Sequence, residues 1–220
     1  MSRTALVAGA SGLVGGHLLQ LLLADAAYGR VITLARRQLD ARHAKLEQRV
    51  VDLGALDDLS HLPQVDDGFC CLGTTIKKAG SQEAFRRVDY DYVLAFGRAA
   101  QRAGARQFLL VTALGADPAS RIFYSRVKGE IEQAVRQLPF QRIQIFRPSF
   151  LMGDRAEVRL AERIGVPVAR VLAPLLVGPL RRYRPIQAAD VARAMLQLAK
   201  EAPRGPNVFE YDGIIAAARS

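Results

Sequence analysis

A glycine-rich turn set between an apolar run and a segment of helical length limits the folds open to this chain more than any other feature. Thr4-Ala5-Leu6-Val7-Ala8 reads as a buried strand, Gly9-Ala10-Ser11-Gly12-Leu13-Val14-Gly15 follows at once, and an apolar segment of helical length comes next. A second apolar run, Val31-Ile32-Thr33-Leu34-Ala35, completes a strand, helix, strand unit. In such a unit each glycine has its own task. Gly9 permits the tight turn out of the strand, Gly12 lets the backbone approach a pyrophosphate, and Gly15 lets the helix pack closely on the sheet. The phosphates are expected on the helix N-terminus, where the N–H groups of Leu13 and Val14 and the Ser11 hydroxyl face an anion.

The second strand ends in Arg36 and Arg37, about 20 residues past the last glycine, where dinucleotide folds read the adenosine ribose. An acid there would accept from a free 2′-hydroxyl; two guanidinium forks suit a 2′-phosphate. No acidic residue intervenes before Asp40, so the expected cofactor is NADP (NADPH) over NAD. Gln48-Arg49-Val50-Val51 reads as a third strand that ends at Asp52-Leu53, a pair expected at the adenine or, equally, with Asp52 as a turn cap. Gly68-Phe69-Cys70-Cys71-Leu72 is the buried part of a fourth strand, and its exit, Gly73-Thr74-Thr75, fits a backbone passing close to a ligand.

Farther along, Ser81 to Ala103 has helical spacing and Gly104 ends it; Arg106 to Thr112 reads as a strand, Ile122 to Leu138 as a helix, and Gln141 to Phe146 as a strand closed by Arg147-Pro148-Ser149. Alternation of this kind implies an α/β, Rossmann-like doubly wound parallel sheet with helices on both faces and a cleft at the carboxyl ends of its strands. From Phe150 the alternation stops. Arg155 to Ile164 and Val168 to Leu176 read as short helices separated by Pro167, so residues 150–186 are expected as a small substrate-side cap on a single domain spanning 1–220. Gln187 to Lys200 returns to amphipathic helix, and Asn207 to Tyr211 is expected as the last strand.

The chain carries 31 Lys and Arg against 21 Asp and Glu, a net charge of +10 that favours anionic partners. The excess is scattered as arginine pairs without a basic tail or an aromatic-studded strand, which argues against specific nucleic-acid recognition. Lys77, Lys78, Arg181, Arg182 and Arg184 are expected at an electropositive mouth for a small-molecule substrate, anionic ones included. Cys70 and Cys71, adjacent on a strand, point to opposite faces and read as core residues, and no metal site is expected. With neither a secretory leader nor a run of 18 apolar residues, the expectation is no membrane partner and a cytoplasmic location.

Tyr124 and Lys128 stand four residues apart and therefore one turn apart on a single helix face. A tyrosine near pKa 10 is a poor acid or base at neutral pH, and a neighbouring ammonium stabilises its phenolate. Tyr124 is thus the expected proton donor to a carbonyl oxygen, Lys128 its partner and a holder of the nicotinamide ribose, and Thr112 the hydroxyl that polarises that oxygen.

These motifs, with Arg147-Pro148 and Asp190-Val191-Ala192, resemble the extended and atypical branches of the short-chain dehydrogenase/reductase superfamily. Within those branches Phe69 to Thr75, Val88 to Val93 and Val127 to Glu130 are similar to the group of Tat-interacting oxidoreductase-like proteins. The resemblance implies an NADPH-bound Rossmann fold, Tyr124 as acid/base with Lys128 as its partner, and contacts to the cofactor from Leu72, Gly73, Thr74, Thr75 and Pro148. One departure matters: the strand-end serine usual in the superfamily is Ala113 here, which leaves the hydroxyl to Thr112, with Ser149 as a fallback. Two functions follow, an NADPH-dependent oxidoreductase of a small carbonyl or alcohol, or an NADPH-binding regulatory protein with little turnover and a protein partner.

Overall fold

The computed structural model describes residues 2–58, 62–153, 177–201 and 204–220. Nine strands are found there: β1 (Arg3–Ala8), β2 (Tyr28–Ala35), β3 (Leu46–Val50), β4 (Asp67–Cys70), β5 (Gln107–Val111), β6 (Arg142–Phe146), β7 (Leu151–Met152), β8 (Ile186–Gln187) and β9 (Gly205–Phe209). Seven make one sheet in the order β3-β2-β1-β4-β5-β6-β9, with every pairing parallel, while β7 and β8 form a separate short pair. This is the expected doubly wound Rossmann-like sheet. The direction of progression reverses between β1 and β4, and a ligand crevice forms at such a reversal, outside the carboxyl ends of the strands.

Parallel strands covered on both faces must be apolar throughout, and β1 obeys: Ala5, Leu6, Val7 and Ala8 are all fully buried. Alternation divides their side chains between two cores. Ala5 and Val7 pack toward α1 (Leu13–Ala24), together with Leu18, Leu22, Val191 and Met195, whereas Leu6 and Ala8 join Phe96, Phe108, Ile131 and Val135 on the other face. Each fully buried Leu, Val, Ile or Phe contributes about 1.5–3 kcal/mol. The free edge at β3 carries Glu47 with Arg30 and Arg49 beside it, charges that discourage pairing with another chain.

The structure departs from the expected elements in three places. The helix expected over 81–103 is preceded by a short α2 (Ile76–Ala79) and is itself divided into α3 (Gln82–Arg86), a wide π turn (Arg87–Asp91) and α4 (Tyr92–Arg102). Thr75 and Ser81 explain two of the starts, since each hydroxyl accepts a first-turn N–H, from Lys78 and Ala84 respectively. In the π turn Tyr92 N–H reaches back five residues to the Arg87 carbonyl. Second, after α5 (Phe123–Arg136) and α6 (Ala188–Glu201), the last strand stops at Phe209 and a helix, α7 (Tyr211–Arg219), follows; Ile214 is wholly buried and supplies its anchor. Third, the cap is represented by its flanks: β7, β8 and a short 3-10 helix over Gly178–Tyr183. The two helices expected at Arg155–Ile164 and Val168–Leu176 lie outside the described residues.

Candidate functional site

The turn from β1 into α1 rests on the exit of β4. Gly9 has φ +82°, and a Cβ there would lie 2.4 Å from the Cys71 carbonyl carbon; at Gly15 it would lie 2.1 Å from the Gly9 oxygen. Neither position tolerates a side chain. Gly12 N–H donates to the Gly9 carbonyl at 2.9 Å, and Gly12 occupies the N-cap of α1 in extended conformation with no side-chain cap. The first-turn N–H groups that begin at Leu13 are therefore without a side-chain acceptor, as an anion site at a helix N-terminus requires. Val14 and Gly15 are buried, Leu13 is half-buried and Ser11 exposed. A cradle that a Cβ would fill, opening on an uncapped helix start, fits the pyrophosphate of a dinucleotide.

At the ribose end, Ser11, Arg37, Gln38, Leu39 and Asp40 line a cavity of about 450 Å³. Arg37 thus joins Ser11, while Arg36 is exposed at the end of β2 and is not among the lining residues. Asp40, counted beyond the ribose site in the sequence, lines the same cavity. Gln48, to which the sequence assigned only strand structure, holds this loop: its side chain accepts from Leu39 N–H at 2.7 Å and donates to the Leu39 and Ala41 carbonyls at 3.2 and 2.8 Å. Asp52 caps its turn, its carboxylate accepting Gly54 N–H at 2.8 Å, and Leu53 is buried in the core.

Tyr124 and Lys128 lie on α5, and Lys128 reaches the β4 exit. Its Nζ stands 2.7 Å from Asp89 Oδ1, and a Cβ on Gly73 would be 3.8 Å from Nζ. Asp89 Oδ2 accepts Thr74 N–H at 2.8 Å. Burial opposes the lysine's charge, but the carboxylate of Asp89 and the nearby Tyr124 outweigh it, so Lys128 titrates above the ordinary lysine range. The Tyr124 ring is half-buried and tilts against Phe85, 5.4 Å between centroids. Asp89 was missed as a site residue. Its only sequence signal was a carboxylate within the otherwise helical run Val88 to Val93.

One turn beyond Lys128, Glu132 carries a second buried charge. Arg147 Nε donates to both of its oxygens, at 2.9 and 3.2 Å, and a terminal nitrogen of Arg147 donates at 2.6 Å. Thr112 Oγ1 donates to Glu132 Oε1 at 2.7 Å. The hydroxyl expected to polarise a substrate oxygen is thus directed at the Glu132 carboxylate, which competes for its proton. The fallback hydroxyl is also committed, since Ser149 donates to the Arg184 carbonyl. Pro148 is buried and its carbonyl accepts Leu114 N–H at 2.9 Å, which ties the segments after β5 and β6 together. Of the expected basic mouth, Arg181 pairs with Asp212 at 2.9 Å and Arg182 stacks on Tyr183.

Comparison with known proteins sets this geometry in context. Residues 5–211 match the family described as NAD dependent epimerase/dehydratase family. Protein HTATIP2 of Rattus norvegicus is 40% identical over 165 residues, 73% of this chain and 68% of the relative. Protein fmp52, mitochondrial, of Emericella nidulans is 36% identical over 222 residues, 96% of this chain and 95% of the relative. Among solved structures, the Bordetella bronchiseptica enzyme WbmH in complex with NAD+ superimposes with a TM-score of 0.69 at 15% identity, covering 96% of this chain and 76% of that one. The human epimerase family protein SDR39U1 with NADPH gives 0.61 at 18% identity, covering 90% and 70%. At those identities the likeness is one of fold.

The mitochondrial names overturn the cytoplasmic expectation, because relatives from Coccidioides immitis and Candida albicans carry them as well. The physical reason is simple: arguments against a secretory leader and a membrane span do not bear on import into an organelle. Among the described residues, no helix is long and apolar enough to cross a membrane.

Proposed function

The chain belongs to the NAD dependent epimerase/dehydratase family, and from that premise we propose that it is an NADPH-dependent oxidoreductase acting on a small carbonyl or alcohol. The observation that carries this reading is a convergence on the β4 exit. Gly9 of the cradle packs on Cys71, and two residues later Gly73 borders Lys128, so the phosphate cradle and the lysine share one wall. When bound, the reduced nicotinamide supplies a hydride to the carbonyl carbon. Tyr124 gives its hydroxyl proton to the carbonyl oxygen, and in the reverse direction takes it back. Lys128 offers N–H donors beside the Gly73 backbone, where the nicotinamide ribose would lie. Gly9, Gly12, Leu13, Val14 and Gly15 would hold the pyrophosphate. Arg36 and Arg37 favour a 2′-phosphate, against one carboxylate, Asp40.

The test begins with titration of the purified protein with NADPH and with NADH, followed by nicotinamide fluorescence. Arg37→Ala is expected to weaken NADPH about 10- to 100-fold, the loss of hydrogen bonds to a charged group, and to leave NADH unchanged. Equal losses for both would remove the 2′-phosphate assignment, and failure to bind either would remove the cofactor reading. Reduction of an aldehyde and ketone panel is expected to fall about 10²- to 10⁴-fold in Tyr124→Phe with NADPH binding retained.

A second reading, a cofactor-binding regulatory protein with little turnover, is supported by the hydroxyl arrangement. Ala113 has none to offer, and those of Thr112 and Ser149 are engaged with Glu132 and Arg184. Loss of one such donor costs on the order of 10²-fold or more in rate. Tight NADPH binding with no turnover across the panel would select this reading.

A further inference from the structure

The carboxylate of Asp89 touches two parts of the site at once. One oxygen lies 2.7 Å from Lys128 Nζ on α5, and the other accepts Thr74 N–H at the β4 exit. Asp89 is wholly buried and Lys128 is 4% exposed. Residue 89 gets there from the π turn that separates α3 from α4. At helical spacing residue 89 lies one turn after Phe85 and on the same side, and both are wholly buried. A lysine alone beside a tyrosine presents it with a full positive charge. A lysine paired at 2.7 Å presents a dipole, in which the carboxylate offsets the ammonium's field at the neighbouring phenol.

We propose that Asp89 is a positioning residue for the Tyr124–Lys128 pair: it clamps Lys128 Nζ at the β4 exit and cancels its charge, so that Tyr124 meets a neutral partner and serves as a proton donor rather than a phenolate base. Among the described residues, Cys70 at the end of β4 also acts on Lys128; burial pushes its thiol up to about 12, so it stays uncharged at neutral pH. A neutral pair favours the reducing direction, in which Tyr124 starts with its proton. The inference rests on the reading of Tyr124 as the donor given above.

The test is a pH titration of tyrosinate absorbance without substrate, taking for each protein the difference from its Tyr124→Phe counterpart, so that Tyr124 alone is followed. Removing the carboxylate in Asp89→Asn leaves an acceptor for Thr74 N–H but exposes the tyrosine to an uncompensated ammonium. The midpoint is expected to fall by about one pH unit or more. Lys128→Met leaves the carboxylate alone and is expected to raise it. Asp89→Asn/Lys128→Met removes both charges and is expected to return close to wild type, a pattern that a purely structural role would not produce. Midpoints that coincide in all four proteins, or an upward shift in Asp89→Asn, overturn the inference. If Asp89→Asn alone does not fold, the decision passes to the other pair: a double variant titrating below Lys128→Met supports the inference and one titrating with it overturns it. Because no turnover is needed, a protein that reduces no carbonyl sinks the oxidoreductase reading while these midpoints still decide the charge balance. Unmoved midpoints in a protein that does reduce carbonyls sink the charge balance alone.

Discussion

The two ends of the sheet both bury charge, and they use it differently. At the amino end, the first residues of β1, β2, β4 and β5 meet. Arg3 pairs with Asp67, Tyr28 donates to Asp67 at 2.8 Å, and Gln107 donates to Asp67 at 3.2 Å and to the Ala199 carbonyl at 2.9 Å. Arg3 also donates to the Ala199 carbonyl at 2.8 Å, so the knot fastens the end of α6 to the sheet. At the carboxyl end, Asp89 pairs with Lys128 and Arg147 with Glu132, but there the first pair borders Gly73 at the β4 exit. In the amino-end knot burial prevails over the favourable Arg3 and Tyr28 contacts, and the Asp67 carboxyl is pushed up to about 6. In the carboxyl-end pair the partner prevails and Lys128 keeps its charge. Buried charge alone does not mark a site; buried charge beside backbone that leaves room for a ligand does.

The contrast breaks most visibly with paired truncations. Arg3→Ala and Glu132→Ala each leave a charged partner behind, and each is expected to cost about 3 kcal/mol or more in denaturant unfolding. Only Glu132→Ala, which also releases Thr112 at the end of β5, is expected to weaken nicotinamide binding in the folded protein. Equal binding losses in both would show that the two ends are not functionally distinct.

A slightly smaller effect separates the ends by pH. Asp67 holds its proton more tightly in the folded chain than in the unfolded one, so its favourable contribution is full below about pH 4 and fades as pH rises through 6. Relative to wild type, Asp67→Asn is therefore expected to gain stability between pH 4 and 7, by up to about 3 kcal/mol at roughly 1.4 kcal/mol per unit. A difference in unfolding free energy that stays flat over that range would refute the assignment. The smallest effect is expected away from both ends. Glu47→Gln at the β3 edge disturbs two half-exposed pairs and should change stability by only about 0.2–1 kcal/mol, a baseline for the larger values.

Much of this site is local and so was readable along the chain. The turn glycines, the uncapped start at Leu13 and the placement of Tyr124 and Lys128 on one helix face follow from spacing within a few residues. Thr112 shows where such reading stops. A hydroxyl at a strand end has the right position for chemistry, yet its direction is decided by Glu132, 20 residues on, which Arg147 holds in place. Asp40 and Gln48 belong to the same class, since only the folding of the 38–41 loop over β3 sets Asp40 in the cavity beside Arg37 and ties the loop to the Gln48 side chain.

The sequence by itself determined the parallel α/β architecture, because apolar runs of strand length alternating with helical periods leave a doubly wound sheet as the way to bury both. It also determined the cradle, because only glycine fits where β1 turns onto the β4 exit. The partners of the buried charges were decided by tertiary structure. Lys128 and Asp89 are 39 residues apart, and their meeting depends on β4 lying beside β5. Periodicity records which way a side chain faces within its own element; it carries no record of which charge another element will bring to it.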